Sequence, residues 1–300
     1  MKHNKSLPML IKIQRRATCF LRLSAISAIV IIARLVGVMT SSVTMEVKSI
    51  NVLNRYFDKR VLGGRRGHED YFFWQLSSAK KIYDYIQDKS FSFAGKCILD
   101  IGCGRGGKTS FYKCEGAATV IGIDLREEAL RVGSQLTKKH GIAGNVGFIK
   151  CDGAQLPFRS ESFDLVIMND IVEHISPGDL RRVLRQARAV LKSDGSIMLD
   201  FSPYFNAYGS HLYDYVYIPY CHLLFSKKAL VKYCETKTTP FVIKQFQELN
   251  KITVKRFFKI VSKAELRIDR KLVFSSNNVL KRIPIVNNLF INKVFCILGK

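Results

Sequence analysis

Acidic residues are scarce in this chain: 24 Asp and Glu stand against 48 Lys and Arg, a formal net charge of +24 over 300 residues. Residues 1–38 hold seven basic side chains and no acid, and residues 221–300 hold 17 basic and four acidic. Residues 39–220, with 24 basic and 20 acidic side chains, are nearly balanced. The balanced middle argues against a basic cleft that tracks nucleic acid through a central site. Charge collected at the two ends suits an anionic membrane surface or an acidic substrate, or forms a solvated face. No pair among the eight cysteines (19, 97, 103, 114, 151, 221, 234, 296) is spaced C-x-x-C. A zinc site or disulfide framework is therefore not expected, and the thiols read as reduced, in a reducing compartment. Internal repeats and low-complexity tracts are missing too. So is a long apolar run: Arg22 and Arg34 interrupt Ala17–Met39 and leave only Leu23–Ala33, short of the about 20 residues of a membrane span. Residues 1–45 are thus expected to be a basic, apolar extension. A membrane anchor, a cleaved signal, and a translation start at Met39 or Met45 are the three readings open for it.

What is present is concentrated in Cys97-Ile98-Leu99-Asp100-Ile101-Gly102-Cys103-Gly104-Arg105-Gly106-Gly107. An apolar run closes on an acid, and three alternate glycines follow. A buried parallel strand turning sharply into a helix has this pattern. Such a turn is expected to aim backbone N–H groups and the positive end of the helix dipole at a ligand. Gly102, Gly104 and Gly107 also fit G-x-G-x-x-G, a weak signal by itself. A second apolar run, Ala118–Ile123, closes on Asp124, 20 residues after Gly104. A carboxylate there accepts both hydroxyls of a ribose, in NAD or S-adenosylmethionine alike. Asp100 begins to separate the two, because it repels a pyrophosphate and attracts the amino group of a methionine moiety.

A third run, Val146–Cys151, leads into Asp152-Gly153-Ala154 and Leu156-Pro157-Phe158; Ser162–Asp170 and Ile171-Val172-Glu173-His174 follow. On these residues the sequence resembles class I S-adenosylmethionine-dependent methyltransferases of the small-molecule, type 11-like branch. The D-x-G-x-G-x-G, L-P-F, F-D and E-H signatures stand in order within residues 70–205. The resemblance implies S-adenosyl-L-methionine as cofactor and an α/β fold, a doubly wound, mostly parallel seven-stranded sheet with an aromatic insertion after strand five. It implies that Gly102, Gly104 and Gly106 approach the methionine part and that Asp100 orients its amino group. Asp124 would bind the ribose. Asp152, with Gly153, would meet the adenine between Leu125 and Ala154, and the Asn169 backbone would lie under the methionine end.

The spacing predicts a helix over 70–87 with Tyr71, Trp74, Ile82 and Tyr85 as its apolar stripe, Trp74 packing on the sheet. Strands are predicted at 97–101, 118–123, 146–151, 163–168 and 196–201. Helices are predicted from about Gly107, over 127–138, and over 177–191 with a stop at Asp194-Gly195. Arg181, Arg182, Arg185 and Arg188 read as a solvated outer face rather than a nucleic-acid stripe. Further helices are expected at 227–234 and 253–263, and a strand at 265–275. Asn292–Leu298 would be a seventh strand, which the resemblance makes an antiparallel edge strand. The apolar and basic segment 279–286 reads as a connection or a membrane contact. One methyltransferase domain is expected over 46–300, with its core at 70–205, a substrate loop at 202–225 and a basic part at 226–300.

The tyrosine-rich stretch 202–220 leaves the carboxyl end of strand five, where ligands bind in such sheets, and is a candidate substrate lid or a packed insertion. His174 is the first candidate for a base; His211, Asp214 and Tyr204 come second, and Asp170 could position cofactor or acceptor. The expected function is O-methylation of a small or lipid-linked acceptor such as a cell-surface sugar intermediate. A quinone or isoprenoid-type C- or O-methyltransferase is the alternative, and an NAD(P) oxidoreductase or non-catalytic cofactor-binding protein is the alternative of another class. No nucleic-acid partner is expected. The cofactor is a cytosolic metabolite, so the location expected is cytoplasmic, with association to the inner face of a membrane as its extension.

Overall fold

A computed structural model of the protein describes residues 42–57, 67–86, 92–142, 144–277, 279, 282, 283 and 287–300. The N-terminal basic and apolar stretch, and most of the 279–286 connection, lie outside them. Among the described residues no helix is long and apolar enough to cross a membrane. The chain divides into two compact units, Met1–Gly63 with Ser210–Gln247, and Gly64–Gly209 with Glu248–Lys300.

In the smaller unit, helix α1 (Val43–Leu53) leads to Asn54, which is buried. Its amide donates to the Tyr215 carbonyl at 3.0 Å and the Tyr233 hydroxyl at 2.9 Å. Its carbonyl oxygen accepts from the Tyr217 backbone. One side chain thus ties down the tyrosine-rich segment, whose Leu212, Val216 and Ile218 are buried.

The larger unit begins with helix α2 (His68–Ile86), strand β1 (Cys97–Ile101), helix α3 (Gly107–Cys114), strand β2 (Thr119–Asp124), helix α4 (Glu127–Lys139) and strand β3 (Val146–Lys150). Strand β4 (Phe163–Asn169), a 3-10 turn (Val172–His174), helix α5 (Pro177–Val190) and strand β5 (Leu191–Phe201) follow. Helices α6 (Cys221–Leu224), α7 (Lys227–Cys234) and α8 (Pro240–Glu248) lie largely in the smaller unit. The larger one resumes with helix α9 (Val254–Lys263), strand β6 (Arg267–Ser275), the short helix α10 (Asn287–Phe290) and strand β7 (Ile291–Gly299). The sheet has seven strands in the order β3-β2-β1-β4-β5-β7-β6. The first five are parallel, and β7 runs antiparallel to both of its neighbours.

Strand alternation separates two apolar layers. Leu99, Val166, Met168, Ile197 and Leu199 pack with Leu180, Leu184 and Ala187 of α5 and Phe257 and Val261 of α9. Ile98, Leu165, Ile167 and Met198 pack with Phe93, Phe111 and Tyr112 on the other side. The fold is therefore the doubly wound, mostly parallel seven-stranded sheet read from the sequence.

Three sequence expectations need correction. Strand β7 is not at the edge: it inserts between β5 and β6, and β6 is the edge. Helix α5 ends at Val190 and β5 begins at once, because Leu191 already pairs with Phe163 before the register shifts. In α2 the described buried positions are Phe72 and Ala79, two turns apart, and Ile82 packs against the core as expected; Trp74 is 39% exposed and stands against Tyr71 with ring centres 5.4 Å apart, and the Tyr85 side chain lies outside the described residues.

Candidate active site

The three acids at strand ends stand where the sequence puts them, at the carboxyl edge of β1 and β2 and just beyond β3. Asp100 is 2% exposed and accepts from the Thr109 hydroxyl at 2.7 Å. Burial pushes its carboxyl up to about 6, against the Thr109 hydrogen bond. Asp124 is also buried. One of its oxygens accepts from the Gly104 N–H at 2.9 Å. Arg126 supplies three more donors, its backbone N–H at 2.9 Å and its guanidinium at 3.0 and 3.2 Å. Asp152 is exposed and accepts from the Ala154 N–H at 2.9 Å. Leu125, beside Asp124, is 66% exposed.

The glycine turn differs from its expectation in one respect. Four of its N–H groups bond inside the protein: Gly102 and Cys103 donate to the Ile123 carbonyl at 2.8 and 3.0 Å, Gly104 to Asp124, and Gly106 to the Cys103 carbonyl at 3.1 Å. The glycines are needed for other reasons. Gly106 (φ +72°) would bring a Cβ within 2.6 Å of the Phe148 ring, and Gly102 (φ +77°) one within 2.7 Å of Ile171. Gly104 (φ +57°) meets only the Arg126 guanidinium, at 3.3 Å. Gly104 is thus the open member of the three, and the other two are packing positions. A Cβ on Gly153 would stand 3.0 Å from the Ile101 side chain. Cys103 is buried and its thiol is pushed up by that burial, which fits a small packing residue.

Beyond β4 the edge is built from paired charges. Asp170, in the left-handed region at φ 52°, accepts from Lys108 and Lys293, each at 2.7 Å. Lys293 reaches Asp200 as well, at 3.0 Å. Burial opposes ionisation of Asp170, but the two ammonium groups outweigh it and hold its carboxyl well below the usual range. Asp200 is fully buried, and its Oδ2 receives no hydrogen bond from the described residues. Burial, reinforced by Asp170, raises its carboxyl. Glu173 is pushed up to about 8 by burial and by Asp170. Asn169 donates from its amide to the buried Tyr112 hydroxyl.

His174 ends the 3-10 turn. Burial lowers its imidazole, Asp170 raises it and Arg126 lowers it again, so the ring is neutral at pH 7. Asn250 latches this turn: its amide donates to the Val172 carbonyl at 2.7 Å and to that of Ile175, and its N–H to the Glu173 carbonyl at 2.9 Å. Two residues on, the Ile252 carbonyl takes the N–H of Tyr204 at 3.1 Å. His211 (φ 56°) and Asp214 belong to the smaller unit; the His211 ring lies 6.3 Å from that of Tyr213, and the Asp214 carbonyl faces the Tyr217 hydroxyl at 3.4 Å.

Lys108, Arg126, Asp200, Lys293 and Asn250 are absent from the sequence reading. Asp200 had a signal: it closes the apolar run Ile197-Met198-Leu199 as Asp100 closes its own. Lys293 had a weaker one, a lone cation within an apolar strand. Among the described residues no group of three or more His, Cys, Asp or Glu side chains could hold a metal ion, and the seven cysteines described are free.

Residues 98–195 match a family model described as a methyltransferase domain. This match, the sheet order and the acids at its edge agree with the resemblance to class I S-adenosylmethionine-dependent methyltransferases read from the sequence. Over 115 residues the chain is 32% identical to a ubiquinone biosynthesis O-methyltransferase of Actinobacillus pleuropneumoniae, covering 37% of this chain and 48% of that protein. Over 134 residues it is 31% identical to a ubiquinone/menaquinone biosynthesis C-methyltransferase of Idiomarina loihiensis, covering 44% and 53%. A sphingolipid C9-methyltransferase of Candida albicans is 32% identical over 112 residues, 36% of this chain and 22% of that one. The chain spans about half the length of the ubiquinone-pathway relatives. Among solved structures, the geranyl diphosphate C-methyltransferase of Streptomyces coelicolor shares the fold, with a TM-score of 0.50 at 13% identity over 74% of both chains.

Proposed function

We propose that the protein transfers a methyl group from S-adenosylmethionine to a hydroxyl of a small or lipid-linked acceptor. The observation that carries the reading is the row of acids at the ends of β1, β2 and β3 around an open Gly104. The fit is specific. A cationic amino group next to Asp100 would let this buried carboxyl ionise, and the exposed Leu125 and Asp152 offer an apolar wall and an acceptor for an adenine. Asp124 is already saturated, since a carboxylate has room for about four donors. Its use for a ribose requires the Arg126 guanidinium, 42% exposed, to swing away.

Bound there, S-adenosylmethionine supplies a methyl carbon made electrophilic by its sulfonium. The chain supplies alignment, exclusion of water and a place for the acceptor's proton. His174, held neutral by burial, takes that proton from the acceptor hydroxyl as it attacks, and Asp170 stabilises the imidazolium so formed. The start of the tyrosine-rich segment in the larger unit, with Tyr204 on it at the carboxyl end of β5, selects the acceptor. Between a sugar and a quinone-type phenol, the names of the curated relatives favour the phenol.

Labelled methyl transfer into lipid and aqueous extracts tests this reading; label entering neither, with cofactor bound, would reject it. His174→Ala should lower kcat by about 10²–10⁴-fold and leave cofactor affinity within about twofold. An unchanged kcat would remove His174 from the mechanism.

A further inference from the structure

The two faces of the sheet carry different charge. Helices α2, α3 and α4 together hold five acidic and seven basic residues, and pairs such as Lys80–Asp84 and Lys139–Glu69 join them. Helices α5 and α9, on the other face, hold eight basic residues and one acid. That acid, Asp179, is already paired to Arg182. Lys255, Arg256, Lys259 and Lys263 are exposed, and among the described residues no carboxylate pairs with them.

The two helices form one surface. Arg185 donates to the Lys263 carbonyl at 3.3 Å, and the Lys271 ammonium of β6 sits 4.1 Å over the Phe258 ring. Lys255, Lys259 and Lys263 recur every four residues, a straight row about 12 Å long at a helical rise of about 1.5 Å per residue. Beneath them Phe257, Ile260 and Val261 anchor α9 in the core, so the row is rigidly presented. Phe258 is half-buried under Lys271, and no aromatic ring of α5 or α9 stands open for a base to stack on. Single-stranded nucleic acid binding leans on such rings. A flat, rigid, basic face without them complements a flat anionic one.

We propose that the face formed by α5 and α9 docks the protein on the surface of a bilayer containing anionic phospholipid. Residues 1–38, with seven basic residues and no acid, add to the same attraction. Docking by this face does not depend on which acceptor is methylated.

The test is flotation of the full chain with phosphatidylcholine vesicles, with and without phosphatidylglycerol, at low and high salt. Binding is expected only to the anionic vesicles and is expected to weaken with salt. The triple variant Lys255→Glu, Arg256→Glu, Lys259→Glu should lose at least tenfold in partitioning. The triple variant Lys80→Glu, Lys81→Glu, Lys138→Glu, on the other face, should stay within threefold. Circular dichroism and thermal unfolding check that both fold. Equal binding by the two variants, equal binding to neutral vesicles, or no vesicle binding by the wild type overturns the proposal. So does binding to a duplex oligonucleotide that the first variant abolishes while vesicle binding is kept.

Discussion

The carboxyl edge of the sheet has two halves built on opposite plans. After β1, β2 and β3 each acid stands near its own partners: Asp100 with Thr109, Asp124 with Gly104 and Arg126, Asp152 with Ala154. After β4, β5 and β7 the acids are joined by cations from far along the chain, Lys108 and Lys293, 62 and 123 residues from Asp170. The first half is a set of short-range loops with room beside them. The second is a part-buried electrostatic knot. A ligand site is easier to open where partners are local and replaceable; a rigid wall is easier to build where charges lock distant elements together.

The strongest way to break this contrast is Lys293→Met. Removing one member of a buried ion pair costs about 3–5 kcal/mol, and the 27% exposure of Lys293 lowers that to about 2–3 kcal/mol. Urea unfolding should show the loss, whereas Asp152→Asn in the first half should stay within about 0.5 kcal/mol. Equal effects would mean that the two halves are not built differently. Within the turn, Gly106→Ala should cost about 2 kcal/mol by driving a methyl into Phe148 at a positive φ. Gly104→Ala should cost about 1 kcal/mol in stability but weaken cofactor binding more than Gly106→Ala does.

Asp100 sharpens the contrast through pH. Its carboxyl, at about 6 when free, is drawn down by a bound cation. Cofactor affinity should therefore be full above pH 6 and fall as pH drops through it, by up to tenfold for each unit. Isothermal titration across pH 5–8 measures this, and Asp100→Asn should bind weakly and show no such slope. The smallest effect is expected at Arg126. An exposed ion pair is worth about 0.2–1 kcal/mol, so Arg126→Ala should tighten cofactor binding by no more than about fivefold; weaker binding would make Arg126 a ligand contact instead of a competitor for Asp124.

The same contrast marks what could be read from the sequence. The turn from Asp100 to Gly107, the acids Asp124 and Asp152 and the parallel strands were legible because each depends on neighbours within about 20 residues. The insertion of β7 was not: a strand's place in a sheet is set by which edge it meets, and its own residues carry no mark of that. Nor was the bonding of the Gly102 and Cys103 N–H groups, which depends on the Ile123 carbonyl arriving from β2. Within α2 the place of Trp74 was misjudged because aromatic residues sit on both sides of the helix, and only packing decides that Phe72 goes in and Trp74 stays out. His211 and Asp214 were chosen for chemistry on a segment whose fold is governed by Asn54, more than 150 residues earlier.

The position of β7 has a consequence for the chain as it is made. Strand β6 leaves the ribosome before β7, yet it has no partner in the sheet until β7 slips between it and β5. Throughout that interval the outer edge of β5 is bare, and Asp170 and Asp200 lack the cation that Lys293 brings. A nascent or prematurely terminated chain without Ile291–Gly299 exposes a sticky edge and an acid pair with Lys108 as its one remaining cation. Chains that carry β7 cover the β5 edge and bring Lys293 to both acids.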